Sequence, residues 1–336
     1  MNTENIEKNS AIDFVIPWVD GSDPIWLAKK QKFQPKAQAD AGINRYRDWE
    51  TLKYWFRGVE KFAPWVHKVY FVTDGQVPNW LNRKHKKLSV INHEDYIPHQ
   101  YLPTFSSNPI ELNIHRIPNL SEQFVYFNDD FFLLRPVKST IFFKNNLPCD
   151  DAILSPIIME ETSDAGKMCA NDMGIINKHF EKKDVVRKFW RKWFNPVYGE
   201  QLLRTFCLMP WRHLVGFYND HLPQAFLKST FDSVWAAEPK VLNEICTHKF
   251  RDYNSDVNQW LMRYWQLCEG KFIPISPKRG VCYRDVCKDA LFEIRRQSYY
   301  MICINDNSET DFNLHKRELL NAFESILPEK SDFEII

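Results

Sequence analysis

Glycine is scarce in this chain, with only 10 among 336 residues. That argues against glycine-rich loops, which cradle phosphates by close backbone approach. The sequence also contains no G-x-G-x-x-G, P-loop, G-x-S-x-G or H-E-x-x-H motif. None of the eight cysteines forms a CxxC pair, and the nearest two, Cys282 and Cys287, match no common zinc spacing. No apolar run approaches the roughly 18–20 residues needed to span a bilayer. The polar opening MNTENIEKNS has no apolar stretch behind it. The expectation is a reduced, cytoplasmic chain with eight free thiols, for which peripheral contact with membrane-bound glycan assembly machinery stays open. An excess of one charge sign is lacking too: 44 Lys+Arg face 43 Asp+Glu, a net +1. No nucleic-acid partner is expected, because backbone affinity is built from many uncompensated cations. A local basic pocket for one phosphorylated ligand remains compatible with that balance.

What is present is an ordinary globular balance, 44% hydrophobic and 26% charged, with aromatics at 15%. The rings suit a bulky core, or stacking on a sugar or base. Residues 1–10 read as a frayed tail, and 11–336 as one domain with a helix-rich insertion at about 160–270. Short apolar strands are predicted at 11–19, 67–73, 88–92, 123–127 and 298–304. Helices are predicted from Pro24, with Asp23 as cap, and over 47–62, 107–116, 183–194, 223–235, 255–268 and 311–327. This alternation indicates an α/β fold with a largely parallel sheet. Ligands of such sheets bind beyond the carboxyl ends of the strands. Asp20 and Asp23 follow the first strand, Asp74 the second, and Asp129 and Asp130 the fourth. Carboxylates at three strand ends point to a metal-dependent site.

Asn128-Asp129-Asp130 lies between aromatic runs, and Asn305-Asp306 ends the late strand. Each reads as a solvated turn or as oxygen ligands for a hard cation, Mg²⁺ or Mn²⁺. Asn108, Glu111 and His115 fall on one face of the helix predicted at 107–116. That face is either solvated or turned toward an anionic substrate with Arg116 as phosphate clamp, and Ser121 could fix the following loop. His221, ahead of an apolar helix, could cap it or act as general base. His248, Lys249 and Arg251 form a basic cluster, suited to a surface patch or to stabilising phosphoryl charge.

The blocks Ile12-Asp13-Phe14-Val15-Ile16-Pro17-Trp18-Val19-Asp20-Gly21-Ser22-Asp23-Pro24, Asn108 to Ile117 with Leu120-Ser121 and Phe127-Asn128-Asp129-Asp130, His221-Leu222-Pro223, and Cys303-Ile304-Asn305-Asp306 occur in order over about 11–307. In that combination the chain resembles the Stealth family of bacterial capsular and cell-wall polysaccharide phosphotransferases. The catalytic subunit of the animal lysosomal-enzyme N-acetylglucosamine-1-phosphotransferase is similar. The resemblance implies a Rossmann-like, GT-A-like core that binds a nucleotide diphosphosugar, typically a UDP-sugar. It implies transfer of a sugar 1-phosphate to a glycan hydroxyl, release of the nucleoside monophosphate, and a divalent cation. Carried over to this sequence, Asp129 and Asp130 become catalytic, and Asp130, Asn305 and Asp306 become metal ligands. His221 becomes the essential histidine and Arg251 its nearby arginine, while Trp18, Asp20 and Gly21 line the donor pocket. The alternatives are a metal-dependent glycosyltransferase releasing UDP and a non-catalytic glycan-binding subunit of a capsule assembly complex.

Overall fold

The computed structural model describes residues 10–34, 46–159, 165–306 and 311–335. The tail expected over 1–10 therefore lies, Ser10 apart, outside the described residues. The strands are β1 (Ile12–Pro17), β2 (Val69–Thr73), β3 (Leu88–Asn92), β4 (Gln123–Tyr126), β5 (Phe131–Leu133) and β6 (Phe143–Lys144). They continue with β7 (Leu147–Asp150), β8 (Gln224–Leu227), β9 (Ile273–Pro274), β10 (Gly280–Tyr283) and β11 (Met301–Ile304).

The central sheet runs β3-β2-β1-β4-β8. Its strands are apolar on both faces because both faces are covered. Phe14, Ile16, Phe71, Val125 and Phe127 pack on one side with Trp55 and Phe56 of the helix Leu52–Phe62 and Phe323 of the helix Phe312–Ile326. Val15, Tyr70, Val72, Phe124 and Tyr126 pack on the other with Phe231, Val234 and Leu261. The period-two alternation thus feeds two cores.

The mixed α/β architecture agrees with the sequence reading, but the sheet is not purely parallel. β1 to β4 are parallel, whereas β8 runs antiparallel to β4, with Tyr126 opposite Gln224. β8 falls where a helix is expected from Pro223. Its four residues are all buried, and periodicity cannot separate so short a buried run from a helix turn. The helix proper is Lys228–Ala237. Two further sheets, β10-β11-β5 and β6-β7-β9, are also mixed.

Other expected helices are shorter. The segment predicted over 107–116 is helical only at Ser107–Leu112. Asn113 breaks it, its side chain bonding back to Pro109 O at 2.8 Å, and a single 3₁₀ turn follows at Ile114–Arg116. The helix expected from 47 begins at Leu52, because Asp48 Oδ1 accepts from Glu50 N at 2.8 Å and turns the chain. The helix expected from 255 begins at Trp260, after a loop organised on Asp256. The 183–194 segment divides into Lys182–Lys188 and Trp190–Trp193.

Candidate active site

The antiparallel edge strand determines what meets what. Because Gln224 opposes Tyr126, the residues leading into β8 lie beside those leaving β4. His221 stands three residues before that pair and Asp129 three after it. β5 then returns the chain against β11, with Cys303 opposite Phe131 and Ile304 N donating to Asp130 O at 3.1 Å. Asp129, Asp130, His221 and Asn305 are thereby gathered at one end of the sheet. His221 Nδ1 lies 3.3 Å from Cys303 Sγ and 3.8 Å from Cys282 Sγ. Phe131 presents its ring to the imidazole edge-on at 5.1 Å. His221 holds φ +49°, a left-handed conformation uncommon outside glycine though enriched for Asn, Asp and His, and this bend of the chain aims the ring.

The electrostatics are those of a crowded acidic recess. Loss of hydration, then the charge of Asp130, then Asp48, pushes the Asp129 carboxyl up to about 7, although the residue itself stands exposed at the mouth. Asp130 is also raised by loss of hydration, with His221 pulling the other way. Its Oδ1 is enclosed and accepts no hydrogen bond among the described residues. For His221, burial acts to lower the pKa, but Cys282 and Asp130 overcome it and leave the ring more basic than usual. The Cys282 thiol is brought down to about 5, first by the hydrogen bond from Cys303 and then by His221.

An orphaned carboxylate oxygen beside a second carboxylate and an amide suits a hard cation, and Asp20 and Asp48 add negative charge nearby. Asp129, Asp130 and Asn305 could hold such an ion. Asp306 is differently engaged. Arg47 Nη2 and Nε reach its two oxygens at 2.6 and 2.9 Å, and Trp49 Nε1 donates at 3.2 Å. Both of its oxygens are committed to a clasp on the loop before the helix Leu52–Phe62.

A second cluster lies behind Tyr126, the last residue of β4. Tyr126 donates to Glu111 Oε1 at 3.2 Å, and Gln259 N donates to Oε2 at 3.3 Å. Burial raises the Glu111 carboxyl and the Arg251 charge lowers it in part. Arg251 Nη2 donates to Ser107 Oγ at 2.7 Å. Asn108 Nδ2 donates to Asp256 Oδ2 at 2.8 Å, and His248 Nδ1 lies 2.6 Å from Asp256 Oδ1. Asn108, Glu111 and Arg251 are thus brought together, through contacts of Ser107 and Asp256.

The remaining candidates are dispersed. Asp20 N donates to Gln76 Oε1 and its carbonyl accepts from Gln76 Nε2, both at 2.9 Å, so the loop after β1 is tied to the loop after β2. Gly21 lies against Tyr46, whose carbonyl oxygen would be 2.0 Å from an added Cβ. Trp18 packs on Phe71. Asp23 caps the helix Pro24–Phe33, accepting from Ile25 N and Trp26 N. Asp74 pairs with Lys29 at 2.8 Å and lines a separate cleft of about 440 Å³ with His93 and His99. His115 is buried and stacks on Phe231, and the exposed Arg116 lies over Trp235, so this pair faces the helix Lys228–Ala237. Ser121 N donates to Asp13 Oδ2 at 2.8 Å, at the opposite end of β4 from Asp129. The sequence reading did not single out Arg47, Asp48, Gln76 or the pair Cys282 and Cys303. The Arg-Asp dipeptide at 47–48, inside a segment taken as helix, was the only signal for the first two.

Comparison with known proteins supplies the context. Residues 11–37 match the family model of Stealth protein CR1, conserved region 1, and residues 45–150 match that of Stealth protein CR2, conserved region 2. The chain is 46% identical to the capsular polysaccharide phosphotransferase WcwK of Streptococcus pneumoniae over 98% of its length and 99% of the relative's. It is 42% identical to the receptor polysaccharide phosphotransferase WefC of Streptococcus oralis, covering 96% and 99%. It is 43% identical to the exopolysaccharide phosphotransferase cps2G of Lactiplantibacillus plantarum, covering 96% of each. No described helix is long and apolar enough to cross a membrane.

Proposed function

The chain belongs to the Stealth family, and on that premise we propose that it is a polysaccharide phosphotransferase of capsule or exopolysaccharide synthesis. Its donor is a nucleotide diphosphosugar, a UDP-sugar by preference, carried on a Rossmann-like, GT-A-like core. An acceptor glycan hydroxyl attacks the β-phosphorus in line. The bond between β-phosphorus and bridging oxygen breaks, UMP leaves, and the sugar keeps its own oxygen in the new phosphodiester.

The observation that carries this reading is the convergence of His221, Asp130 and Asn305 at one end of the sheet, from segments far apart in sequence. His221 accepts the acceptor's proton. Its Nδ1 is turned to the two thiols, which leaves Nε2 for the hydroxyl, and Asp130 supports the charged ring. Asp129, Asp130 and Asn305 would hold Mg²⁺ or Mn²⁺, which when bound neutralises diphosphate charge. Arg251, oriented by Ser107, stabilises charge on the phosphoryl oxygens. The loop Trp18–Gly21, braced by Gln76, receives the donor.

The test is incubation with a panel of nucleotide sugars and a capsule fragment, followed by phosphorus NMR. A sugar–phosphate–sugar diester with nucleoside monophosphate supports the proposal. Nucleoside diphosphate with no new phosphodiester makes the enzyme a glycosyltransferase and overturns it.

A further inference from the structure

His221, Cys282 and Cys303 do more than line the recess. Their Nδ1 and two Sγ atoms all lie within 4.8 Å of one another. The separations from Cys303 Sγ are 3.3 Å to His221 Nδ1 and 3.6 Å to Asp130 Oδ2, and Cys282 Sγ is 3.8 Å from the same nitrogen. In tetrahedral zinc sites, with Zn–S about 2.3 Å and Zn–N or Zn–O about 2.1 Å, neighbouring ligand atoms stand about 3.5–3.8 Å apart. The two nitrogen-to-sulfur separations, 3.3 and 3.8 Å, lie close to the edges of that tetrahedron. The sequence alone conceals it, because the two cysteines are not a spaced pair in one loop. They become neighbours only because β10 and β11 pair in parallel with Cys282 opposite Cys303.

We propose that His221 Nδ1, Cys282 Sγ and Cys303 Sγ form a three-ligand binding site for a borderline-soft divalent cation, Zn²⁺, with water as the fourth ligand, and that its occupancy switches the enzyme off. The donor set selects the ion. Thiolate and imidazole suit zinc, whereas Mg²⁺ and Mn²⁺ take oxygen ligands. Surrounding contacts fit a coordination shell. Asn305 Nδ2 donates to Cys282 Sγ at 3.7 Å, as amides beside metal-bound sulfur do, and Phe131 fixes the imidazole plane. Both sulfurs bind such an ion as thiolates. On binding, the Cys303 thiol also gives up its proton to solvent, and no oxidation is involved.

The inhibitory part rests on the proposed function, because it follows from His221 and Asp130 serving in catalysis. Zinc would draw the lone pair of Nδ1 and fix the imidazole, and would set a second cation beside the Asp130 carboxylate, whose Oδ2 lies 3.6 Å from Cys303 Sγ. The binding part rests on geometry alone.

The experiment uses metal-free, reduced full-length protein titrated with Co²⁺ as a spectroscopic probe and then with Zn²⁺ against a chromophoric chelator. The expected result is one ion per chain, with thiolate-to-cobalt charge-transfer absorption and the intense visible bands of a tetrahedral centre. Cys282→Ser and Cys303→Ser should each weaken zinc by about 100-fold or more, since even outer partners of metal ligands are worth 10–100-fold. Replacing the exposed Cys207 and Cys287 by Ser should change nothing. No charge-transfer band, or a band that survives both Ser variants, overturns the site. Wild-type protein provides a check that needs no variant. Zn²⁺ should protect Cys282, but not Cys207 or Cys287, from alkylation read by mass spectrometry, and equal labelling of Cys282 with and without Zn²⁺ overturns the site. Zn²⁺ should also abolish transfer, reversibly with a zinc-selective chelator. Cobalt binding without phosphotransferase activity would refute the function and leave the site standing. Phosphotransferase activity without cobalt or zinc binding would refute the site alone.

Discussion

Arg47 closes a two-point ion pair on Asp306, its Nη2 2.6 Å from Oδ1 and its Nε 2.9 Å from Oδ2, across 259 residues of chain. The fork geometry is one that lysine cannot reproduce. It joins the loop ahead of the helix Leu52–Phe62 to the end of β11, where Asn305 N also donates to Tyr283 O. Both partners are largely shielded from solvent. Asp306→Asn and Arg47→Ala should therefore each destabilise the protein, and the double mutant should lose less than the two singles combined. The expected coupling is about 1–3 kcal/mol, the range for charge-assisted hydrogen bonds in contact. A double-mutant cycle by urea unfolding measures it. Fully additive losses would show that the clasp contributes nothing.

Asp130→Asn should raise the Mg²⁺ or Mn²⁺ concentration needed for half-maximal transfer, whereas Asp306→Asn should leave that concentration unchanged. The basis is the orphaned Oδ1 of Asp130 against the fully engaged carboxylate of Asp306. Metal titration of initial rates decides it. Transfer that persists undiminished in excess chelator, after metal removal is verified by elemental analysis, removes the cation role altogether.

His221→Asn should reduce turnover by about 10²–10⁴-fold, the usual worth of a positioned general base. Asparagine is the suitable replacement because it tolerates the left-handed backbone found here, φ +49°, better than alanine does. An unchanged unfolding midpoint with lost turnover is the expected pair of measurements. Retention of a tenth of wild-type turnover would remove His221 from the chemistry.

Arg263→Met should cost about 3–5 kcal/mol, as breaking a buried pair from one side usually does. Arg263 is wholly buried, bonds Asp150 through Nε and Nη2, and donates to Tyr218 O at 2.8 Å and Asn219 Oδ1 at 2.7 Å. Those last two residues lead directly to His221. The variant should consequently lose kcat beyond what its unfolded fraction explains, read on protein kept well below its melting temperature. Full activity per folded molecule would separate the ion pair from the placement of His221.

Stability should fall as pH drops from about 6.5 toward 4. Burial lowers His93 to about 4 and His115 to about 3, so both are neutral in the folded chain where the unfolded chain is already protonated. A folded pKa depressed below the unfolded one means that the unfolded state binds more protons across this window, and acid favours it. The stabilisation is complete above the unfolded value and is lost downward. His115→Phe, which keeps the stack on Phe231, should flatten the lower part of the profile measured by thermal melts. An unaltered profile would rule out His115 as a contributor.

The central strands were legible in the sequence because β-branched and aromatic runs such as Phe14–Ile16 and Val69–Val72 end at Asp-Gly turns. The polar blocks were legible as well, Asn128-Asp129-Asp130 and Asn305 above all, since polar groups at apolar strand ends are costly without a purpose. Their meeting was less so. It depends on β8, whose Gln224–Leu227 run carries no period, and on β10, which places Cys282 beside Cys303. His115 and Arg116 illustrate the opposite failure. A stripe at helical spacing looks continuous on paper, yet Asn113 folds its side chain onto Pro109 and ends the helix before His115. Arg47 and Asp306 could not have been paired by spacing at all, because nothing local links two charges separated by most of a chain.

The pinning of Asp150 to Gln224 at 2.9 Å has a consequence for how this protein can be altered. The chain between them leaves the small sheet at the end of β7 and enters the central sheet at the start of β8, with Asp150 and Gln224 joined by a hydrogen bond. It is an excursion with a closed base, and Arg263 fastens that base a second time through Asp150, Tyr218 and Asn219. The excursion displays Trp190, Leu203, Phe206 and Trp211 to solvent. These side chains can be exchanged without moving the register of β8 against β4, and so without moving His221. A graft of this stretch from one relative onto another would be spliced ahead of Tyr218, so that Tyr218, Asn219 and His221 stay with the recipient.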